Sequence, residues 1–268
     1  MTDLVLPRAG LTGMLRSEWT KLRTVRSTVW SLVAMAGIAL GLMSVIAWAV
    51  MRQWNATDPG GQAYLRENPI ELVIGRPVFI AQLVVAVLGV MVISAEYTTG
   101  MIRSTLQSQP RRLTVLTAKV LVFGALMLAT GELFAFAAFF LGRAIIAEHV
   151  PVSLDDPGVL RSVVGAGLFM AMLGLFSLGA GAVIRHTAGA ITTVLGLILI
   201  VSNLTALLPG RWGAYIHAWM PTNAGQLVFQ PREMPDALLT PWQGFAVFSG
   251  WTALLLAVAF VLFRTRDA

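Results

Sequence analysis

The chain has no cysteine, only two lysines and three histidines, and only 12% of its 268 residues are charged. Without cysteine, disulfide scaffolds, thiolate zinc sites, iron–sulfur ligation and a cysteine nucleophile are all excluded. A soluble domain carries about 25% charged residues, so a water-soluble enzyme is a poor fit. Disorder is a worse one, because it requires low hydrophobicity. No G-x-x-x-x-G-K-[ST] phosphate loop occurs, so any nucleotide-driven step needs another polypeptide. His149, His186 and His217 are scattered, with no H-E-x-x-H pair for zinc. No aspartate falls within a long apolar run, and Ser249-Gly250 has no histidine at membrane depth to activate it. Asp155-Asp156 directly precedes a proline–glycine pair and reads as a solvated turn.

What is abundant is apolar surface: 57% hydrophobic residues and a mean hydropathy of +0.77. About 20 apolar residues cross a bilayer as a helix. Six runs qualify, at 29–50, 77–95, 120–141, 163–184, 188–208 and 245–263. They are apolar all round, unlike the alternating segments of a membrane barrel. The expectation is an all-α polytopic membrane protein, one transmembrane domain over 1–268. Loops are expected at Asp58-Pro59-Gly60-Gly61, Asp155-Asp156-Pro157-Gly158 and Pro209-Gly210. Ala47-Trp48-Ala49 imitates a signal-peptide cleavage site, but the run before it is too long and begins too late.

An even number of spans puts both termini on one side, and basic residues choose it. Twelve of the nineteen lysines and arginines fall on the side of the termini, which is therefore expected to be cytoplasmic. The formal charge of +6 then reflects basic cytoplasmic loops, with no call for nucleic acid.

Residues 1–28 form a cytoplasmic segment containing an expected amphipathic interface helix. Leu11, Met14, Leu15, Trp19, Leu22 and Val25 recur at helical spacing, with Arg16, Lys21 and Arg23 facing elsewhere. Such a helix anchors in lipid or offers a shelf to a cytoplasmic partner. The connection 96–119 is too long for a hairpin. Gly100 permits a sharp turn, Met101, Thr105 and Leu106 share a helical face, and Pro110 stops continuation. On the other side, in 209–244, Trp212, Tyr215, Ile216 and Trp219 make an aromatic stripe that ends at Pro221. Within the runs, Glu132 is the lone acid, which marks a polar point on a substrate path or a helix contact. Gly37 and Gly41 form a G-x-x-x-G face suited to close helix approach.

Glu96, Gly100, Met101, Arg103, Leu106, Pro110, Arg112 and Lys119 together resemble the cytoplasmic signature of ABC-2 type transporter membrane subunits. Ser17 through Ser27 is similar to the opening of many such permeases from high-GC bacteria. The resemblance implies the ABC-2 (type V exporter-like) fold, with six transmembrane helices, cytoplasmic N- and C-termini and an N-terminal interface helix. It assigns ATPase coupling to Leu15, Trp19, Leu22, Glu96, Tyr97, Gly100, Met101 and Arg103. It also implies a subunit contact at Gly37 and Gly41 and a re-entrant outer hairpin within 209–244. Two separate P-loop ATPase subunits would bind the ATP and Mg, and this chain would hold no cofactor. A second membrane subunit, as homodimer or heterodimer, would complete a complex in the bacterial cell membrane. Its cargo is expected to be an amphiphile, such as a drug, an antibiotic or a lipid-like molecule. Two rivals remain at this stage: a secondary transporter or pore, and a non-transporting scaffold that docks an ATPase.

Overall fold

The computed structural model describes residues 10–101, 112–231 and 237–265. Among these, every regular element is helical. A short helix α1 (Leu11–Thr24) breaks at Val25, whose extended backbone reorients the chain before α2 (Arg26–Arg52). After α2 comes α3 (Pro59–Glu67), followed by α4 (Glu71–Thr98), which opens with the wide turn Glu71–Gly75. The chain continues through α5 (Arg112–Ile146), α6 (Val159–Ile184) and α7 (Thr187–Leu207). Two short helices, α8 (Gly210–Trp219) and α9 (Pro221–Gln226), precede the last long one, α10 (Pro241–Thr265).

The helices α2, α4, α5, α6, α7 and α10 are each long and apolar enough to cross a membrane. They coincide with the six apolar runs, and each begins further out than its run, while α6 ends with its run at Ile184 and α7 one residue short of it. The helix α5 begins at Arg112, so 113–119 extends the third long helix, where the sequence suggests a connection. A second difference concerns Asp58-Pro59-Gly60-Gly61. Asp58 caps α3 by accepting the Gly61 N–H at 2.9 Å, and Pro59 takes the first helical position. Both choices favour a helix start over a loop.

The most buried long helix is α6, which packs against α4, α5 and α10. Its glycines allow the approach. A Cβ placed on Gly89 of α4 would lie 2.5 Å from the Gly174 carbonyl oxygen of α6. Likewise, a Cβ on Gly131 of α5 would lie 3.0 Å from the Gly167 carbonyl oxygen. Backbones this close gain dispersion contacts, one of the attractions that hold helices together in lipid. Phe123, Phe139, Phe169 and Phe248 fill the interior. Trp30, Val33, Ile38, Val45, Leu133 and Val261 point outward. An apolar exterior of this extent suits a lipid surrounding rather than water.

At the far end from α1, the chain folds back into the bundle. The face of α8 carrying Trp212, Tyr215, Ile216 and Trp219 is exposed, whereas Pro221, Thr222, Ala224 and Gly225 of α9 are buried. The side chain of Arg161 donates from Nη2 to the Pro231 carbonyl at 3.0 Å and from Nη1 to that of Val228 at 3.3 Å. Ser202 and Thr222 hydroxyls meet at 2.6 Å, tying α7 to α9.

Candidate functional site

At the end where α1 lies, four charged side chains from three helices converge. Lys119 of α5 donates from Nζ to Glu18 Oε2 of α1 at 2.7 Å and to Glu96 Oε1 of α4 at 2.9 Å. Lys21 of α1 reaches Glu18 Oε1 at 2.7 Å and Glu96 Oε1 at 3.1 Å. The two lysines are the only ones in the chain, and both serve this cluster.

Its inner members are deeply buried: the side chains of Lys119 and Glu18 are 3% and 2% exposed. An isolated charge would be strongly penalised there. Two cations facing two carboxylates leave the group neutral, and hydrogen bonds offset part of the desolvation cost. Burial pushes the Glu18 carboxyl up, but the Lys119 charge and the hydrogen bonds from both lysines outweigh it. The net result holds Glu18 below its ordinary value of 4.5. For Lys21, burial favours the neutral amine, yet Glu18 and Glu96 prevail and hold it above 10.5.

Local structure explains the convergence. On α1, Met14, Glu18 and Leu22 recur every four residues and form its buried face. Met14 packs with Val115 and Ala118 of α5, so Glu18, one turn on, meets Lys119. That face differs from the apolar stripe the sequence suggests. Leu11, Trp19 and Val25 are exposed, Leu15 is half-buried beside Met14, and Leu22 joins the main core.

Of the eight residues assigned to coupling, Leu22 and Glu96 are buried near the cluster, and Tyr97 adjoins Glu96. The ring of Tyr97 lies under the Arg185 guanidinium, with Cζ 5.0 Å from the ring centre. Arg185 takes a left-handed conformation at the end of α6 and donates to the Leu262 carbonyl of α10 at 3.3 Å. Gly100 has φ of +71°, where a β-carbon is strained. Met101 beyond it is 47% exposed. Arg103 lies outside the described residues, as do Leu106, Pro110 and most of the loop around them.

The remaining candidates are dispersed. Glu132 is half-buried in α5 against Gly167 of α6, and its Oε2 has no hydrogen-bond partner among the described residues. Gly37 and Gly41 lie on an exposed face of α2, and no described atom of the chain comes within 4 Å of a Cβ built there. Asp155 and Asp156 bond to Ser153 within their own turn, and no group of ligating side chains suited to a metal occurs among the described residues.

The sequence alone did not single out Glu18 and Lys21 as site residues, and Lys119 entered only through the charge balance and the resemblance. A signal existed. Glu18 occupies the centre of an apolar i, i+4, i+8 face, and both lysines of a lysine-poor chain adjoin such faces.

The fold and site together define a helical protein with six potential membrane spans and a buried ionic cluster at one end. No known family model matches the chain, and no curated protein sequence matches it.

Proposed function

We propose that this chain is the membrane subunit of an ATP-driven exporter of the ABC-2 type, in a bacterial cell membrane with both termini in the cytoplasm. One observation carries the reading: the Glu18–Lys21–Glu96–Lys119 cluster joins α1 to the ends of α4 and α5. The segment between those ends is the one that the resemblance equates with a coupling helix. Tied in this way, α1, α4 and α5 move as one body when a partner pushes on the segment. The partner is a pair of P-loop ATPase subunits that bind ATP and Mg. A second membrane subunit packs on the open Gly37 and Gly41 face, and the cargo is an amphiphile drawn from lipid.

The test is co-purification with the ATPase, together with ATP turnover and transport by the reconstituted complex. Met101→Asp places a charge on the exposed apolar residue after the Gly100 turn, and Gly100→Pro redirects that turn. Either change is expected to release the ATPase or uncouple hydrolysis from transport while the six helices still insert. Gln53→Asp, exposed at the opposite end, should leave both intact. Normal ATPase binding and coupled transport in both Met101→Asp and Gly100→Pro would overturn the assignment.

A further inference from the structure

A cavity of about 750 Å³ opens at the far end, between α2, α4 and the 226–231 segment. That volume falls in the range of sites for drug-sized molecules, about 300–1,000 Å³. Its walls are mainly apolar, with Ile46, Phe79 and Phe229 among them, beside polar residues that include Glu71, Arg76 and Gln82. The wide turn Glu71–Gly75 edges the cavity, where the backbone departs from regular α-helix.

The two ends differ in chemistry. Toward the outside, Glu71 accepts the Tyr64 hydroxyl, and Arg76 has no salt bridge among the described residues. Gln82 lies further along α4, about 16 Å of helix from Glu71. It is the one polar side chain between Pro77 and Ile93 apart from the helix backbone itself, and it is 1% exposed. Its carbonyl accepts from Gln226 Nε2 at 3.4 Å, while its own Nε2 has no acceptor among the described residues. A buried amide N–H without an acceptor is destabilising, and a bound acceptor removes that penalty.

We propose that this cavity binds a drug-sized amphiphile, with a carbonyl or ether oxygen accepting from Gln82 Nε2 and the polar end beside Arg76. The aromatic and aliphatic walls hold the body between them. The site is complete within one chain and does not depend on an ATPase partner. Its failure and that of the proposed function are therefore separable.

The probe is 4-octyloxybenzophenone, whose ketone is both the hydrogen-bond acceptor and the photoreactive group. The full chain in lipid nanodiscs is irradiated with it, and labelled peptides are mapped by mass spectrometry. Saturable labelling is expected on the peptides bearing Phe79 and Phe229. It should fall at least fivefold in Gln82→Leu, which removes the donor, and in Ile46→Trp, which fills the space. Val261→Trp, on the outward face of α10, should not change it. Displacement by a lysophospholipid would assign the natural ligand to the bilayer, and displacement only by a water-soluble aryl ketone would assign it to a solute. Labelling spread evenly over outward-facing helices, or unchanged in both cavity variants, would overturn the proposal.

Discussion

Lys119 Nζ stands 2.7 Å from Glu18 Oε2, although 101 residues of sequence separate them. That ion pair links the amphipathic helix α1 to the long helix α5. It is buried, so it is not screened as surface pairs are. Its value lies less in net stability than in geometry. A neutral apolar replacement of the whole group is expected to be tolerated, and a half-removed group is not.

Lys119→Met tests that asymmetry. It strands two buried carboxylates with Lys21 as their remaining cation in the cluster. The expected loss is about 3–5 kcal/mol in the stability of the α1 docking. Adding Glu18→Leu should recover much of it. Thermal unfolding of the purified protein reads both, and a single variant that melts with the wild type would contradict the cluster's role.

The same cluster sets a pH dependence. Glu18 is held below 4.5, so its contribution is fully present above that value and is lost as pH falls through the folded-state pKa. Lys21 is held above 10.5, so its contribution is present below that value and is lost as pH rises through its own folded-state pKa. The docking of α1 should therefore hold across the neutral range and loosen only in acid or strong base. With no native cysteine, a fluorophore on Thr20→Cys labels one site, and its anisotropy follows the docking. A loosening centred near neutral pH would disagree.

Helix approach can be tested at Gly89. Gly89→Ala puts a methyl 2.5 Å from the Gly174 carbonyl oxygen and 2.7 Å from Ser177 Cβ, so α4 and α6 must separate. Overpacking of this kind costs about 1–3 kcal/mol. Gly250→Ala meets nothing within 4 Å and should be neutral or slightly stabilising through helix propensity. Equal melting temperatures for the two variants would show that the close approach contributes nothing.

Glu132→Gln keeps size and polarity against Gly167, and should leave folding nearly unchanged. Glu132→Lys places a long cation in a helix long and apolar enough to span, at a cost of about 2.5–3.5 kcal/mol on insertion scales. Membrane-fraction yield and chromatographic profile distinguish them. Normal yield from the lysine variant would mean that the side chain already faces water.

The sequence by itself determined the class of fold. Apolar runs of about twenty residues admit only structures that satisfy every backbone group internally, so six runs mean six helices. It also marked Gly100, because a glycine before a helical pattern is a local signal, whereas Glu96 was marked through the family resemblance. Only the tertiary structure decided which partners those residues meet. In the sequence Glu18 is one of two acids on a basic segment, and the packing of Met14 against Val115 and Ala118 turns it toward Lys119. Gln82 is a lone amide in an apolar run of the sequence, and the structure sets Gln226 beside it while its Nε2 has no acceptor among the described residues. Helical periodicity records which side chains share a face. What lies opposite that face depends on residues far along the chain, and the ionic cluster and the far-end cavity are both made by such pairings.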